Sequence, residues 1–407
     1  MATAIFTRRL NPQLHVVLFE GARKPGAKIL VSGGSRCNVT NTVVSEEDFW
    51  GGRRSIVRRV LRALPVDETV AFFRDLGVSL HEEPDGKLFP DSNRARDVLA
   101  ALLREVSACG VTLLADHRVH AIECTGRGFR VATSHGAVEA SRLVLATGGR
   151  SLPKSGSDGL GYAFAEALGH SIVVTTPGLV PLTLDGASGF HAALSGVSHL
   201  AELAVWVDSR IAIRLTGSLL WTHFGISGPV ALNASRHWLR AHSDGRSAAI
   251  SVNFYPGLTF DDLDRKLTSA ARARPRMTIE TAIATGGGDI RPLPSSLVRT
   301  VLLDLRIAGS IPLSQLARED RRLLVRALTE RPLPVSGTRG YNYAEVTAGG
   351  VALEEIDPST LESRVCKGLY LVGEVLDVDG RIGGFNFQWA WSSARAAARG
   401  LSRSADL

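Results

Sequence analysis

The chain has 407 residues, with 47 Lys or Arg against 40 Asp or Glu and a formal net charge of +7. That length exceeds the roughly 250–300 residues at which one hydrophobic core stops growing, so two or three domains are expected. An apolar content of 44% with 41 glycines excludes a disordered or fibrous chain and fits an α/β protein with many tight turns. Cys37, Cys109, Cys124 and Cys366 are scattered, without C-x-x-C or zinc-ligand spacing, so no metal is expected and a reducing cytoplasm suits them.

No apolar leader opens the sequence, because Arg8 and Arg9 interrupt it. HVVLFE, His15 to Glu20, is a short β-rich run ending on an acid. KILVSGGSRCNVTN, Lys28 to Asn41, follows as a glycine turn. Residues 52–64 and 67–76 have helical spacing. The first carries Arg53, Arg54, Arg58, Arg59 and Arg62, with Ile56, Val60 and Leu64 on another face. It reads as a solvated helix face, since no aromatic residues interleave with the arginines to stack bases, and nucleic acid is not the expected partner. Another helix is expected from Ser92 to Cys109, then several strands. The last of these is the apolar run Leu143 to Ala146 before Thr147-Gly148-Gly149, which suits a buried parallel strand.

A loop and a helix ending at Gly169 come next, and composition then changes. Residues 180–254 look strand-rich, and residues 259–329 look helical with arginine-rich polar faces. The uncharged stretch Leu215 to Ser235 is interrupted by Gly217, His223, Gly225, Gly228, Pro229 and Asn233, so no membrane span is expected there. From Tyr341 the chain returns to glycine turns and a strand at Gly368 to Glu374, and it closes with a helix over NFQWAWSSARAAARG. The economical layout is a first domain resumed after an excursion.

Three stretches carry candidate chemistry. Glu20 ends its strand where an acid can accept hydrogen bonds from the ribose hydroxyls of an adenine nucleotide. Ser32-Gly33-Gly34-Ser35-Arg36-Cys37-Asn38 can wrap a pyrophosphate or a flavin ring with backbone N–H donors, the Arg36 charge and the directional amide of Asn38. The same segment also reads as an ordinary glycine turn with Cys37 as a small buried hydrophobe. GEVLDVDGRIGG places Glu374, Asp377 and Asp379 between glycine turns. These acids can accept from a sugar-alcohol chain, and their spacing lacks the calcium-loop pattern. His223, in THFGISGP, sits in a glycine-rich setting that resembles a site, although a structural histidine is the competing reading.

Taken together, KILVSGGSRCNVTN, KLFPDSNRARDVL, LATGGRSLPKSGSDGLGYAFAEALGH, GSLLWTHFGISGPVALNAS and VTAGGVALEEIDPSTLES, followed by GLYLVGEVLDVDGRIGGFNFQWAWSSARAAA, resemble the BaiN/RdsA-type (YhiN-like) family of NAD(P)/FAD-dependent oxidoreductases from about Ala2 to Gly400. The resemblance implies an α/β, two-dinucleotide-binding-type (Rossmann-like) FAD domain over 1–179 and 336–407. An inserted β-rich domain is implied over 180–258 and a small helical domain over 259–335. It implies FAD held by Glu20 at the ribose, Val119 beside adenine, and Thr147 and Gly148 at a neighbouring strand end. Lys28 and Ser32 to Asn38 would lie near the pyrophosphate and flavin. Gly373, Glu374, Asp377, Gly383, Gly384, Phe385 and Asn386 would line the ribityl chain and ring.

The implied activity is transfer of hydride from NAD(P)H through the flavin to an organic acceptor, such as a conjugated double bond in a small molecule. His223 and Cys37 are the candidates for a catalytic proton donor. Two other readings stay open: a catalytically silent relative, and an RNA-associated flavoprotein. Related chains begin with a strand and a G-x-G-x-x-G turn ahead of the helix that here reads MATAIFTRRL. The expectation is that this strand and phosphate loop belong upstream of a misassigned Met1. Ser35 stands where the family usually has a third glycine, and a positive φ there would disfavour serine.

Overall fold

A computed structural model of the chain describes residues 1–186, 189–287 and 289–403. The backbone divides into two compact units, Met1–Gly178 with Ala344–Leu407, and Leu179–Tyr343.

In the first unit, β-branched and leucine-rich runs form two short parallel ladders. Val17–Phe19 pairs with Thr112–Leu114, and Leu143–Leu145 pairs with Leu369–Leu371. Parallel pairing needs a crossover, and long excursions separate the partners in both cases. Among the described residues neither Val17–Phe19 nor Leu143–Leu145 has a second ladder on its other edge. Both line one cleft of about 2430 Å³, together with Met1, Thr3 and Ala4 at the start of the helix Ala2–Leu10.

The closing helix, Phe385–Ser402, organises this unit. Trp389 packs into a core with Phe49, Tyr370 and Leu376, whereas Trp391 packs into another with Phe6, Phe72 and Phe73. Both indoles also hold backbone. Trp389 Nε1 donates to the Gly373 carbonyl at 3.1 Å and Trp391 Nε1 to the Val39 carbonyl at 2.9 Å. A buried indole N–H needs a partner, and here each partner belongs to one of the segments expected at a site.

The second unit has an antiparallel sheet in the order 331–333, 248–253, 198–207, 210–222, 225–227, 182–184, 335–338. Four helices, Phe260–Ala273, Ile279–Thr285, Ser295–Asp304 and Arg318–Thr329, pack into the same core as the sheet. Trp221 and Phe254 share that cluster with Leu263, Val298 and Leu324. Within the strand-rich region lies the helix Pro229–Ser243, which the strand reading of 180–254 did not contain. Its start was written locally, with Pro229 at the first helical position after Gly228. Val230, Ala231, Ala234, Trp238 and Ala241 then form a buried face.

Candidate cofactor site

The glycine segment is half helix and half turn. Residues Ala27–Ser35 begin as a helix and break at Ser32 (ψ 147°), Gly33 (φ 54°) and Gly34 (φ 67°). Ser35 (φ 67°) and Cys37 (φ 64°) are also left-handed, so the serine does occupy a conformation that favours glycine, at about 1–2 kcal/mol. Beyond the turn, the amide of Asn38 is oriented so that its nitrogen donates to the Leu88 and Thr40 carbonyls at 3.2 and 2.8 Å and its oxygen accepts from Gly384 N–H at 3.0 Å. Asn41 Nδ2 donates to the Gly383 carbonyl at 3.1 Å. The two glycine stretches, separated by most of the sequence, therefore meet.

Their fit is close. A Cβ on Gly384 (φ 94°) would lie 2.4 Å from the Thr40 carbonyl oxygen, so only glycine permits the approach. The next turn is stapled by Asn386, whose amide accepts from Gly380 N–H at 2.8 Å and donates to the Gly380 carbonyl at 2.9 Å. Gly373 N–H donates to Ser393 Oγ at 3.0 Å. Asp377 is buried, with its N–H on the Val351 carbonyl at 2.9 Å. Phe385 is buried against Phe49.

A second convergence joins Lys28 to Glu374 in an ion pair. Lys28 Nζ also donates to Ser151 Oγ at 2.6 Å, and Ser151 Oγ donates to Glu374 Oε1 at 2.8 Å. Thr347 N–H completes the carboxylate at 2.9 Å, while Thr347 Oγ1 accepts from the N–H groups of Arg150 and Ser151 at 2.7 and 3.1 Å. Ser151 and Thr347 were not singled out from the sequence. Their only local signal is a position beside the glycine pairs Gly148-Gly149 and Gly349-Gly350.

Lys28 also lines the cleft, as do Glu20, Val119, Thr147 and Gly148. Glu20 Oε1 accepts from Ala22 N–H at 3.0 Å, and the Glu20 carbonyl accepts from His117 N–H at 2.9 Å, which fixes the strand end. Thr147 is held against the helix Leu160–Ala167, where a Cβ on Gly161 would collide with Thr147 Oγ1.

Other residues are placed differently from a freely available site group. Arg36 forms a bidentate pair with Glu83 at 2.5 and 3.2 Å and lies 4.1 Å over the Phe89 ring, so its charge is compensated. The Cys37 thiol is fully buried, and burial pushes it up to about 11, which keeps it protonated at neutral pH. His223 lies in the second unit, exposed in the turn between Arg210–Thr222 and Gly225–Ser227, edge-on to Phe224. Asn38 and Asn41 are thus brought to Gly384 and Gly383, and Lys28 to Glu374, whereas the cleft is lined by Glu20, Lys28, Val119, Thr147 and Gly148 and not by residues 32–38 or 373–386; His223 belongs to the other unit. Among the described residues no group of three His, Cys, Asp or Glu is arranged to hold a metal, and no helix is long and apolar enough to cross a membrane.

The chain is similar to known proteins. The 3-dehydro-bile acid delta(4,6)-reductase of Clostridium scindens is 32% identical over 399 residues, which is 98% of this chain and 95% of the relative. The ribosomal RNA dihydrouridine synthase of Escherichia coli is 34% identical over 391 residues, 95% of this chain and 92% of its own. A solved 3-ketosteroid-delta4-(5alpha)-dehydrogenase from Rhodococcus jostii aligns over 99% of this chain and 94% of its own, with a TM-score of 0.47 and 15% identity. The family model described as HI0933-like protein Rossmann domain matches residues 1–400, and the chain belongs to that family.

Proposed function

We propose that this chain is an FAD-dependent oxidoreductase that takes hydride from NAD(P)H and delivers it, by way of the flavin, to a carbon–carbon double bond of a small organic acceptor. Family membership and the relatives' names, a delta(4,6)-reductase and a dihydrouridine synthase, support that class of reaction. The observation that carries the reading is the meeting of Ser32–Asn38 with Gly383–Asn386, together with Lys28, which pairs with Glu374 and also lines the cleft that holds Glu20, Val119 and Thr147.

The residues present fit such a cofactor. Gly34 has nothing within 4 Å of where a Cβ would stand, which leaves its backbone approachable. The first turn of the helix Ala2–Leu10 faces the cleft and contains no acid, so its free N–H groups suit a pyrophosphate. In this reading Glu20 accepts from the ribose hydroxyls, Val119 covers adenine, and Thr147 with Gly148 borders the dinucleotide. Lys28 and the segment from Ser32 through Gly33, Gly34, Ser35, Arg36 and Cys37 to Asn38 flank the pyrophosphate and ring. Gly373, Glu374, Asp377, Gly383, Gly384, Phe385 and Asn386 shape the ribityl side. Arg36 serves by fixing its segment through Glu83. The N-terminus of the helix Phe385–Ser402 stabilises negative charge at the Gly383-Gly384 turn.

When bound, the flavin supplies the two-electron carrier. His223 and Cys37 are the candidate proton donors to mutate: Cys37 is buried and keeps its proton at neutral pH, and His223 is exposed. A small molecule is favoured over RNA because three of the five arginines of the arginine-rich segment have carboxylate partners. Arg53 pairs with Glu354, Arg54 with Glu47 and Arg58 with Glu46. A cytoplasmic location is part of the proposal.

The test is direct titration of the purified chain with FAD, followed by calorimetry and by retention of flavin absorbance through gel filtration. Stoichiometric uptake is expected. A protein that melts cooperatively yet leaves FAD unbound overturns the reading. RNA binding that weakens steeply with salt would replace the small-molecule acceptor with RNA.

A further inference from the structure

The cleft carries a second chemistry that the proposed cofactor site does not use. Two cysteines line it, Cys124 and Cys366. Cys124 is exposed near the end of the strand Val119–Thr125, and its cross-strand neighbour is Phe129. Cys366 opens the tight turn that leads into Leu369–Leu371. Its N–H donates to Ser363 Oγ at 2.7 Å and its carbonyl accepts from Leu369 N–H at 3.2 Å. That turn rests on the same aromatic ring, because a Cβ on Gly368 would lie 3.4 Å from Phe129 Cε2, and Phe129 and Cys366 share one core. The ring therefore gathers both cysteine segments at one place on the cleft wall.

The two thiols are unequal. Cys366 is 8% exposed, and burial, followed by the neighbouring Cys124, pushes its thiol up to about 11. Cys124 is the one an oxidant in solvent reaches. An accessible cysteine beside a buried partner is the arrangement of an oxidisable thiol with its resolving thiol.

We propose that Cys124 and Cys366 form a reversible disulfide across the rim of the cleft, with a hydroperoxide as oxidant. The Cys124 sulfur attacks the peroxide O–O bond, takes one oxygen as a sulfenic acid and, with hydrogen peroxide, releases one water. The Cys366 sulfur then displaces that hydroxyl, the S–S bond forms, and the hydroxyl leaves with the Cys366 proton as a second water. Two thiols have lost two electrons and two protons, and one peroxide has become two waters. A dithiol reductant reverses the bridge by exchange. The bridge ties the antiparallel sheet formed by 119–125, 128–133 and 136–140 to the turn preceding Leu369–Leu371. It stands whether or not the cleft takes FAD.

The experiment is to treat the full chain with equimolar hydrogen peroxide, alkylate the remaining thiols, digest without reductant and map the peptides by mass. The expected product joins the Cys124 and Cys366 peptides within one chain and disappears on dithiothreitol treatment. It is lost in Cys124→Ser and retained in Cys109→Ser. Because Cys124 is exposed, Cys124→Ser should melt with the parent, which separates loss of the bridge from loss of the fold. Cys124 oxidised to sulfinic acid while Cys366 stays a thiol, or a Cys124 bridge between two chains, overturns the proposal.

Discussion

Two glycine-rich stretches look alike in the sequence, Lys28–Asn41 and Thr222–Pro229, yet their glycines answer to different neighbours. In the second, a Cβ on Gly225 would meet the Leu182 carbonyl oxygen at 2.3 Å, and one on Gly228 the Ser218 carbonyl oxygen at 2.8 Å. Those glycines let strands and a helix start pass close to one another. In the first, a Cβ on Gly33 would likewise meet backbone, Asn38 N at 2.9 Å, but Gly34 faces open space, although its φ is 67°. A glycine pressed by backbone serves the fold, whereas one with room around it leaves its peptide free to meet a ligand. The histidine next to the first kind is exposed in a hairpin turn, and the asparagine next to the second kind is buried in a network.

The largest expected effect breaks the fold side of this contrast. Gly225→Ala and Gly384→Ala each force a Cβ into backbone at a positive φ, and each should lower stability by about 3 kcal/mol or more, read as a shift in urea midpoint. Wild-type midpoints for both would show that the close approaches are not demanded.

Next comes Lys28→Met, which leaves the Glu374 carboxylate with only its Ser151 and Thr347 partners. A partly buried charge that loses its counter-ion should cost about 1–3 kcal/mol and weaken FAD uptake. Unchanged urea and FAD titrations would remove the ion pair from the site.

The second unit offers a pH test that the first site does not share. Burial and the adjacent Arg236 push His237 down from 6.5 to about 3. The unfolded chain takes up this proton near pH 6.5 and the folded chain only near 3, so the unfolded state binds more protons between them and stability rises with pH across that window. Melting temperature should fall as pH is lowered through it, less steeply in His237→Gln; parallel slopes for both proteins would refute the assignment.

The smallest stability effects sharpen the ligand side. Gly34→Ala should cost only about 1–2 kcal/mol yet reduce FAD affinity by about tenfold or more, which is 1.4 kcal/mol in binding. His223→Ala should change stability by no more than about 0.5 kcal/mol and leave FAD bound. Turnover that also persists would exclude His223 as the proton donor.

Much of the local structure was legible. The run HVVLFE contains the strand Val17–Phe19, the spacing over 92–109 contains the helix Ala95–Ala108, and the arginine-rich helix appears at Arg54–Leu61. Where the reading slipped, a local signal was outweighed by composition. Pro229 after Gly228 marks a helix start, but the surrounding β-rich stretch hid it. The helical half of Lys28–Asn41 was concealed by the glycines that end it. Ser151 and Thr347 carried no signal beyond a neighbouring glycine pair, because a serine and a threonine become interesting only beside the carboxylate they bind.

Side-chain type and spacing settled many of the strands, helices and turns, since propensity and period act over a few residues. Tertiary packing decided the rest. Lys28 finds Glu374 across 346 positions, and Asn41 finds Gly383 across 342. Those pairings exist because two indoles of one closing helix hold both segments in place, and a distance set by such packing has no counterpart in any local run of residues.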